Sequence, residues 1–440
     1  NSINNYCYPE NPEAGIDLFL EKLGQETEKE HEDILEQADE TDAMFGELYS
    51  WYLRNPEYRS RVQKLVQSAF AGKPKDIISQ SVAKALYGEV SPYSATRLER
   101  FAACAFAHFL QYGMKLTERV EYEFKPMDMG NVMHEALESF AEEVRKRGMK
   151  WTELTEQERN EIADRCLDNI VADYGNTVLK SSARNEYMIE RTRRILRRTV
   201  WALQKQLEQG EFQPEGFEVT FGGGRIDRVD IMEDQNKVYV KVIDYKTGNT
   251  SFDLVYLYHG LQLQLMIYLD GALRVEQKKY PDKEIIPAGV FYYNIKDPMI
   301  QEKIDADVEA VSAGLMKELK MNGLVQADPE LVYRMDSSLG SIPVAFNKDG
   351  SFRKNSSVAD RTQFAVLGRY VRTKIEKIRS SILEGDAEVS PYELGKKNAC
   401  TYCPYMTVCG FDRRLSGYEF RRLKNFSDEE LWKAFDREAE

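Results

Sequence analysis

Between residues 217 and 246 the chain reads Phe217-Glu218-Val219-Thr220-Phe221, then Gly222-Gly223-Gly224-Arg225-Ile226-Asp227-Arg228-Val229-Asp230-Ile231. After Glu233-Asp234-Gln235-Asn236 it continues Lys237-Val238-Tyr239-Val240-Lys241-Val242-Ile243-Asp244-Tyr245-Lys246. These runs are rich in β-branched and aromatic residues and are parted by turn formers. They predict a strand at Phe217–Phe221 followed by a hairpin of Arg225–Ile231 and Lys237–Tyr245. Side chains alternate along a strand, so Asp244 and Lys246 share one face while Ile243 and Tyr245 share the other. The hairpin brings Asp227 alongside them. Two carboxylates and an ammonium at one end of a small sheet are costly to assemble without a compensating cation or a function.

That constellation suits metal-assisted phosphodiester hydrolysis. Mg²⁺ takes oxygen ligands and keeps several waters, so Asp227, Asp244 and the Tyr245 carbonyl form a partial shell. The metal would lower the pKa of its water, and Lys246 would stabilise the developing negative charge. An isolated Asp-x-Lys also occurs as a surface pair ending a strand, so its neighbours decide. His134, one of four histidines, lies in Gly130-Asn131-Val132-Met133-His134 at the start of an amphipathic helical pattern. As a third ligand it would make the site tolerant of Mn²⁺, since imidazole is softer than carboxylate. Gln264 and Tyr268 are four apart and share a helix face. They could orient a phosphate or stack on a base; alternatively, Tyr268 is core and Gln264 caps a strand end.

Outward from the hairpin the pattern is helical. Apolar residues recur at helical spacing over residues 14–90, the run Gly88-Glu89-Val90-Ser91-Pro92 interrupts them, and Ser94 is placed to cap the next helix. A boundary is expected near residue 90, with helices from 94 to 210. Downstream, one long amphipathic helix is expected over Leu254–Val275, a strand over Ile285–Ile295, helices near 304–322 and 360–384, and a hairpin at Asn347-Lys348-Asp349-Gly350. The fold class expected is α/β, a small mixed sheet heavily decorated with helices.

The 440 residues carry 60 Lys+Arg against 73 Asp+Glu, a net charge of −13. Residues 1–90 hold 17 acidic and 9 basic residues, so much of the excess sits there. Against that background Arg191-Thr192-Arg193-Arg194-Ile195-Leu196-Arg197-Arg198 packs five arginines into eight residues. It reads either as a solvated helix face or as a phosphate-contacting surface. No apolar run approaches the roughly 18 residues that cross a bilayer. The start at Asn1, without Met or a basic-then-apolar leader, is expected of a piece of a longer soluble chain. A cytoplasmic setting follows, in which disulfides are disfavoured.

Three of six cysteines fall within ten residues as Cys400-Thr401-Tyr402-Cys403-Pro404 and Cys409. This spacing suits a metal. A four-thiolate site needs one more, from Cys7, Cys104 or Cys166. Cys104 would clip together segments bracketing every candidate catalytic residue, and closing so long a loop removes much unfolded-chain entropy. Zn²⁺ and a [4Fe–4S] cluster both accept four thiolates.

Taken in order, Ser94-Ala95-Thr96-Arg97-Leu98-Glu99-Arg100-Phe101-Ala102-Ala103-Cys104, Gly130–His134, Gly224–Asp230, Asp244-Tyr245-Lys246, Gln264–Tyr268 and the three-cysteine segment are similar to the nuclease domain of the B subunit of AddAB-type helicase–nucleases. That domain is a RecB-like member of the PD-(D/E)XK superfamily. The resemblance covers roughly residues 90–425. It implies a restriction-endonuclease-like core with His134, Asp227 and Asp244 as metal ligands for Mg²⁺ or Mn²⁺ and Lys246 as catalytic. Gln264 and Tyr268 would form the active-site helix motif, and Cys104, Cys400, Cys403 and Cys409 would hold a [4Fe–4S] cluster.

The resemblance further implies that residues 1–90 end a preceding helicase-like region, that 91–425 form the nuclease domain and that 426–440 are a C-terminal tail. The activity implied is a DNA exonuclease working with an A subunit on double-strand break ends for recombinational repair and degrading the 5′-terminated strand. No G-x-x-x-x-G-K-[ST] occurs, so ATP hydrolysis is not expected of this stretch. Two other readings are a stand-alone iron–sulfur exonuclease of the CRISPR-associated type and a non-catalytic scaffold that binds DNA ends.

Overall fold

The computed structural model describes residues 40–69, 77–88, 94–117, 126–173, 182–222, 224–301, 307–415 and 417–439. The helical pattern expected over residues 14–39, and Cys7, lie outside them. In chain order the first elements are helices α1 (Glu40–Arg54), α2 (Pro56–Ala69), α3 (Gln80–Tyr87), α4 (Ala95–Ala103) and α5 (Ala105–His108). Three long helices follow: α6 (Pro126–Lys146), α7 (Glu156–Asp173) and α8 (Ala183–Glu208). Strands β1 (Gln213–Phe221), β2 (Gly224–Asp234) and β3 (Lys237–Lys246) come next, then α9 (Leu254–Tyr258), α10 (Gln264–Lys279) and β4 (Glu284–Asn294). The chain continues through α11 (Val308–Glu318), β5 (Asn322–Gln326), α12 (Pro329–Met335), β6 (Val358–Ala359) and α13 (Arg361–Glu384). It ends with β7 (Tyr392–Leu394), β8 (Lys397–Asn398), α14 (Met406–Cys409), β9 (Arg421–Arg422) and α15 (Asp428–Ala439).

The main sheet runs β1-β2-β3-β4-β5-β6 and is mixed: β3–β4 and β5–β6 are parallel, the other neighbours antiparallel. β1 and β2 are joined where Phe221 pairs with Gly224, and Gln235-Asn236 form the two-residue loop closed by Asp234 and Lys237. Helices cover both faces, which makes the fold α/β, as the sequence indicates. On one face Ile243, Tyr245, Phe291 and Tyr293 pack with Leu137, Phe140, Leu196 and Leu203 from α6 and α8. On the other, Val238, Val240, Val242 and Val290 pack with Leu265, Leu269, Tyr370 and Phe435. A strand buried on both faces reads as nearly continuous apolar sequence, and β3 does so.

Ala83 and Tyr87 of α3, from before residue 90, and Leu431, Ala434 and Phe435 of α15, from the expected tail, all join the second core. Leu48, Tyr52 and Val62 form a separate small cluster.

The helix expected over Leu254–Val275 is two helices. It stops at Tyr258, and Gly260 takes φ +78°, where a Cβ would lie 3.2 Å from the Ala102 methyl. This break lets α10 begin at Gln264. Beneath the sheet, buried Arg228 donates to Asp230 at 2.5 and 3.0 Å, and Lys241 lies 2.8 Å from the same carboxylate. The guanidinium packs over Trp151 and Phe217. Removing one partner from such a buried set costs about 3–5 kcal/mol.

Candidate active site

Pairing of β2 with β3 begins at Arg228–Ile243, so Asp227 sits where the ladder opens. There the Tyr245 N–H donates to Asp227 Oδ2 at 2.7 Å, and a side chain completes a bond the neighbouring strand does not supply. This interaction fixes the carboxylate at the strand end. On β3, Asp244 is 1% exposed and its Oδ2 lies 2.5 Å from Lys246 Nζ, though off the angle of a hydrogen bond. Lys246 is held from above: its ammonium donates to Gln264 Oε1 at 2.8 Å and lies over the Tyr292 ring. Gln264 Nε2 in turn donates to the Tyr268 hydroxyl at 2.8 Å. The pair four apart on α10 thus faces the sheet as one hydrogen-bonded unit.

His134, just over two turns into α6, brings Nδ1 to 3.4 Å from Asp227 and 3.8 Å from Glu218. One ligand atom from each of His134, Glu218 and Asp227 lies within 4.8 Å of the others, the arrangement that could hold a metal ion. Asp244 lies close enough to Asp227 for the Asp227 charge to oppose its ionisation. Burial, then Asp227, lifts the Asp244 carboxyl well above its usual range, while Lys246 and His134 act the other way. Burial would lower the His134 pKa, but Asp227 and Glu218 outweigh it and push the ring up to about 10. A divalent cation suits this set: three carboxylates and an imidazole converge, one buried oxygen lacks a hydrogen bond, and their repulsion asks for positive charge.

Two residues of this site escape sequence reasoning. Glu218 lies opposite Asp227, between the pairs Phe217–Arg228 and Val219–Ile226. Its φ is +49°, a conformation that costs a non-glycine residue about 1–2 kcal/mol. Strain of that kind persists where surrounding contacts demand it, here Arg225 and His134. The available signal was an acid at an interior position of an apolar strand. The second is Glu99 on α4: its Oε1 accepts the backbone N–H groups of Leu263 at 2.7 Å and Gln264 at 3.0 Å. It caps α10 from another helix, because Leu263 at the N-cap supplies no side-chain acceptor. Burial, offset by those two bonds, brings the Glu99 carboxyl up to about 7.

Cys104, Cys403 and Cys409 lie near enough to Cys400 for their charges to act on it, but among the described residues no three of these sulfurs lie within 4.8 Å of one another. Cys104 is an extended residue (φ −165°, ψ 118°) wedged between α4 and α5, which turns its thiol out of the helical run. Cys400 is affected by burial and then by the charges of Cys104, Cys403 and Cys409, which push its thiol up to about 11. Burial pushes the Cys104 thiol up, and neighbouring backbone dipoles act the other way. Tyr405 donates to Leu116 O at 2.9 Å, and Arg421 reaches Ala102 O, tying the C-terminal segment to α4. Cys166 is buried in the first core, away from these sulfurs.

Residues 92–410 match the PD-(D/E)XK nuclease superfamily. Over 421 residues the chain is 41% identical to the B subunit of the ATP-dependent helicase/deoxyribonuclease of Lachnoclostridium phytofermentans, covering 90% of this chain and 36% of that protein. Identity to the proteins of the same description from Thermoanaerobacter sp. strain X514 and Alkaliphilus metalliredigens is 34%, over 91% and 90% of this chain and 37% of each relative. The chain thus spans just over a third of the length of these curated relatives. The matched span takes in the open end of the β2–β3 hairpin with Asp227, Asp244 and Lys246, and the chain belongs to the PD-(D/E)XK nuclease superfamily.

Proposed function

We propose that the chain is the metal-dependent deoxyribonuclease domain of the B subunit of a helicase–nuclease, acting as an exonuclease on DNA break ends in the cytoplasm. The observation that carries this reading is Lys246 held between Asp244 and Gln264 beside the His134–Glu218–Asp227 cluster. The names of the relatives support DNA as substrate and an A subunit as partner; degradation of the 5′-terminated strand rests on the family resemblance.

His134, Glu218, Asp227 and Asp244 would hold Mg²⁺ or Mn²⁺, which supplies Lewis-acid polarisation of a phosphate oxygen and a more acidic water. The residues do the positioning. Gln264 orients the Lys246 ammonium so that a fixed positive charge faces the position where negative charge builds on the phosphate. The Tyr292 ring lies under the ammonium, and the Tyr268 hydroxyl holds the Gln264 carboxamide. Cys104, Cys400, Cys403 and Cys409 would hold a [4Fe–4S] cluster, a reading supported by their C-x₂-C-x₅-C spacing and by the nearness of the other three to Cys400.

The decisive test is Lys246→Ala with single-stranded DNA in Mg²⁺ or Mn²⁺: cleavage should vanish while binding stays. If wild type itself shows no metal-dependent cleavage, the scaffold reading replaces this one.

A further inference from the structure

The arginine-rich run on α8 lies along one wall of a cleft of about 690 Å³ between α7, α8 and α11. Three of its five arginines are already neutralised: Arg193 by Asp164, Asp168 and Glu190, Arg194 by Asp297, and Arg197 by Asp164. Arg191 and Arg198 are not, and neither has a carboxylate partner among the described residues. Arg191 is exposed; Arg198 stacks on Trp201 with its Nε buried and without an acceptor. A third arginine from α7, Arg159, is only 6% exposed, and its Nε also lacks an acceptor although Nη1 donates to Gln204. Buried guanidinium N–H groups without acceptors are costly, and an anion entering the cleft would supply them.

The rim adds a second, different observation. Tyr187 is 65% exposed and Val308 82% exposed on facing walls of the same cleft. Free guanidinium groups interleaved with an exposed aromatic ring are what a strand of unpaired nucleotides requires: charge for its phosphates and a flat face for its bases. Arg194 is anchored to Asp297, two residues past Ile295, whose N–H bonds to the Lys246 carbonyl at 2.7 Å. Through Asp297 the cleft wall is thus tied to the end of β3, on the sheet face opposite the Asp244 and Lys246 side chains.

We propose that this cleft is a track for single-stranded DNA, with Arg159, Arg191 and Arg198 taking phosphates and Tyr187 stacking on a base. The proposal deepens the nuclease reading, since it rests on that reading for the identity of the strand. Its test is a binding measurement without metal. Anisotropy of a labelled oligothymidine of about 20 nucleotides is titrated in EDTA at several salt concentrations, with the intact protein and with Arg191→Ala, Arg191→Lys and Tyr187→Ala. Arg191→Ala should weaken binding by about 3- to 10-fold and reduce the log–log salt slope by about one, with Arg191→Lys restoring the slope. Tyr187→Ala should weaken binding by a similar factor with the slope unchanged.

Unaltered affinity and slope in properly melting Arg191→Ala and Tyr187→Ala proteins would overturn the track. So would millimolar inorganic phosphate protecting the arginines while strand affinity ignores them, which marks an anion pocket only. The two readings fail separately. Arg191-dependent binding by a protein that never cuts DNA sinks the nuclease and leaves the track, whereas cutting with Arg191-independent binding sinks the track alone.

Discussion

Glu99 is not part of the His134–Glu218–Asp227 cluster, yet its removal should cripple cleavage. One carboxylate oxygen accepts both the Leu263 and Gln264 N–H groups, and the Gln264 carboxamide then accepts the Lys246 ammonium. Glu99→Ala leaves two partly buried donors without an acceptor at about 1–3 kcal/mol each, and no residue at the N-cap replaces it. A loss of about 2–6 kcal/mol at the first turn of α10 is enough to fray it and release Lys246 from Gln264. Misplacing such a group by about 1 Å costs on the order of 100-fold in rate.

Single-turnover cleavage at saturating DNA should therefore fall about 100-fold in Glu99→Ala, with the Kd for DNA unchanged within about twofold. Glu99→Gln keeps an acceptor and loses only charge–dipole stabilisation of about 1 kcal/mol, so it should lose less than about 10-fold. A Glu99→Ala enzyme within threefold of wild type, or one whose DNA affinity and cysteine-site metal fall together with its rate, would refute Glu99 as a positioning residue.

Glu218→Gln should weaken Mn²⁺ binding by about 10-fold or more in calorimetry without changing the fold, because it removes one of three clustered donors; unchanged affinity would leave Glu218 a strand acid and nothing more. His108 is fully buried, accepts from Arg97 and is held down to about 3 by burial and that cation. A buried neutral histidine takes up its proton only on unfolding, so its contribution is intact above about pH 6.5 and is lost as pH falls towards 3. Unfolding free energy should drop by about 2 kcal/mol from this group between pH 6.5 and 5, and His108→Gln should flatten that slope in denaturant titrations. Cys104→Ala should lose the metal of the cysteine site and melt at markedly lower temperature; full metal content in that variant would remove Cys104 from the ligand set. Anaerobically purified protein should be brown and carry about four iron atoms per chain, and stoichiometric zinc instead would overturn the cluster.

The strands that build the site could be read directly because each is a run of β-branched residues closed by turn formers. The central strand was the clearest, being apolar on both faces. Gln264 and Tyr268 could be paired from helical spacing alone, and the structure joins them by a hydrogen bond. What spacing misjudged was continuity. Leu254–Val275 keeps helical periodicity through a break that only Gly260, pressed against Ala102, enforces. The arginine run shows the same limit from the other side: whether a guanidinium is free depends on acids at Asp164, Asp168 and Asp297, none of them neighbours in sequence.

By itself, then, the order of residues determined the alternation that puts Asp244 and Lys246 on one face and Tyr245 on the other, and the crowding of three cysteines into ten positions. Those are consequences of local backbone geometry, fixed within a few residues. Tertiary structure alone decided that Glu218 joins His134 and Asp227, that Glu99 holds the start of α10 from 164 residues away, and that two arginines of five have no carboxylate partner among the described residues. Each of these depends on which distant charge is left without water when helices close over the sheet, and only the packed chain sets that desolvation.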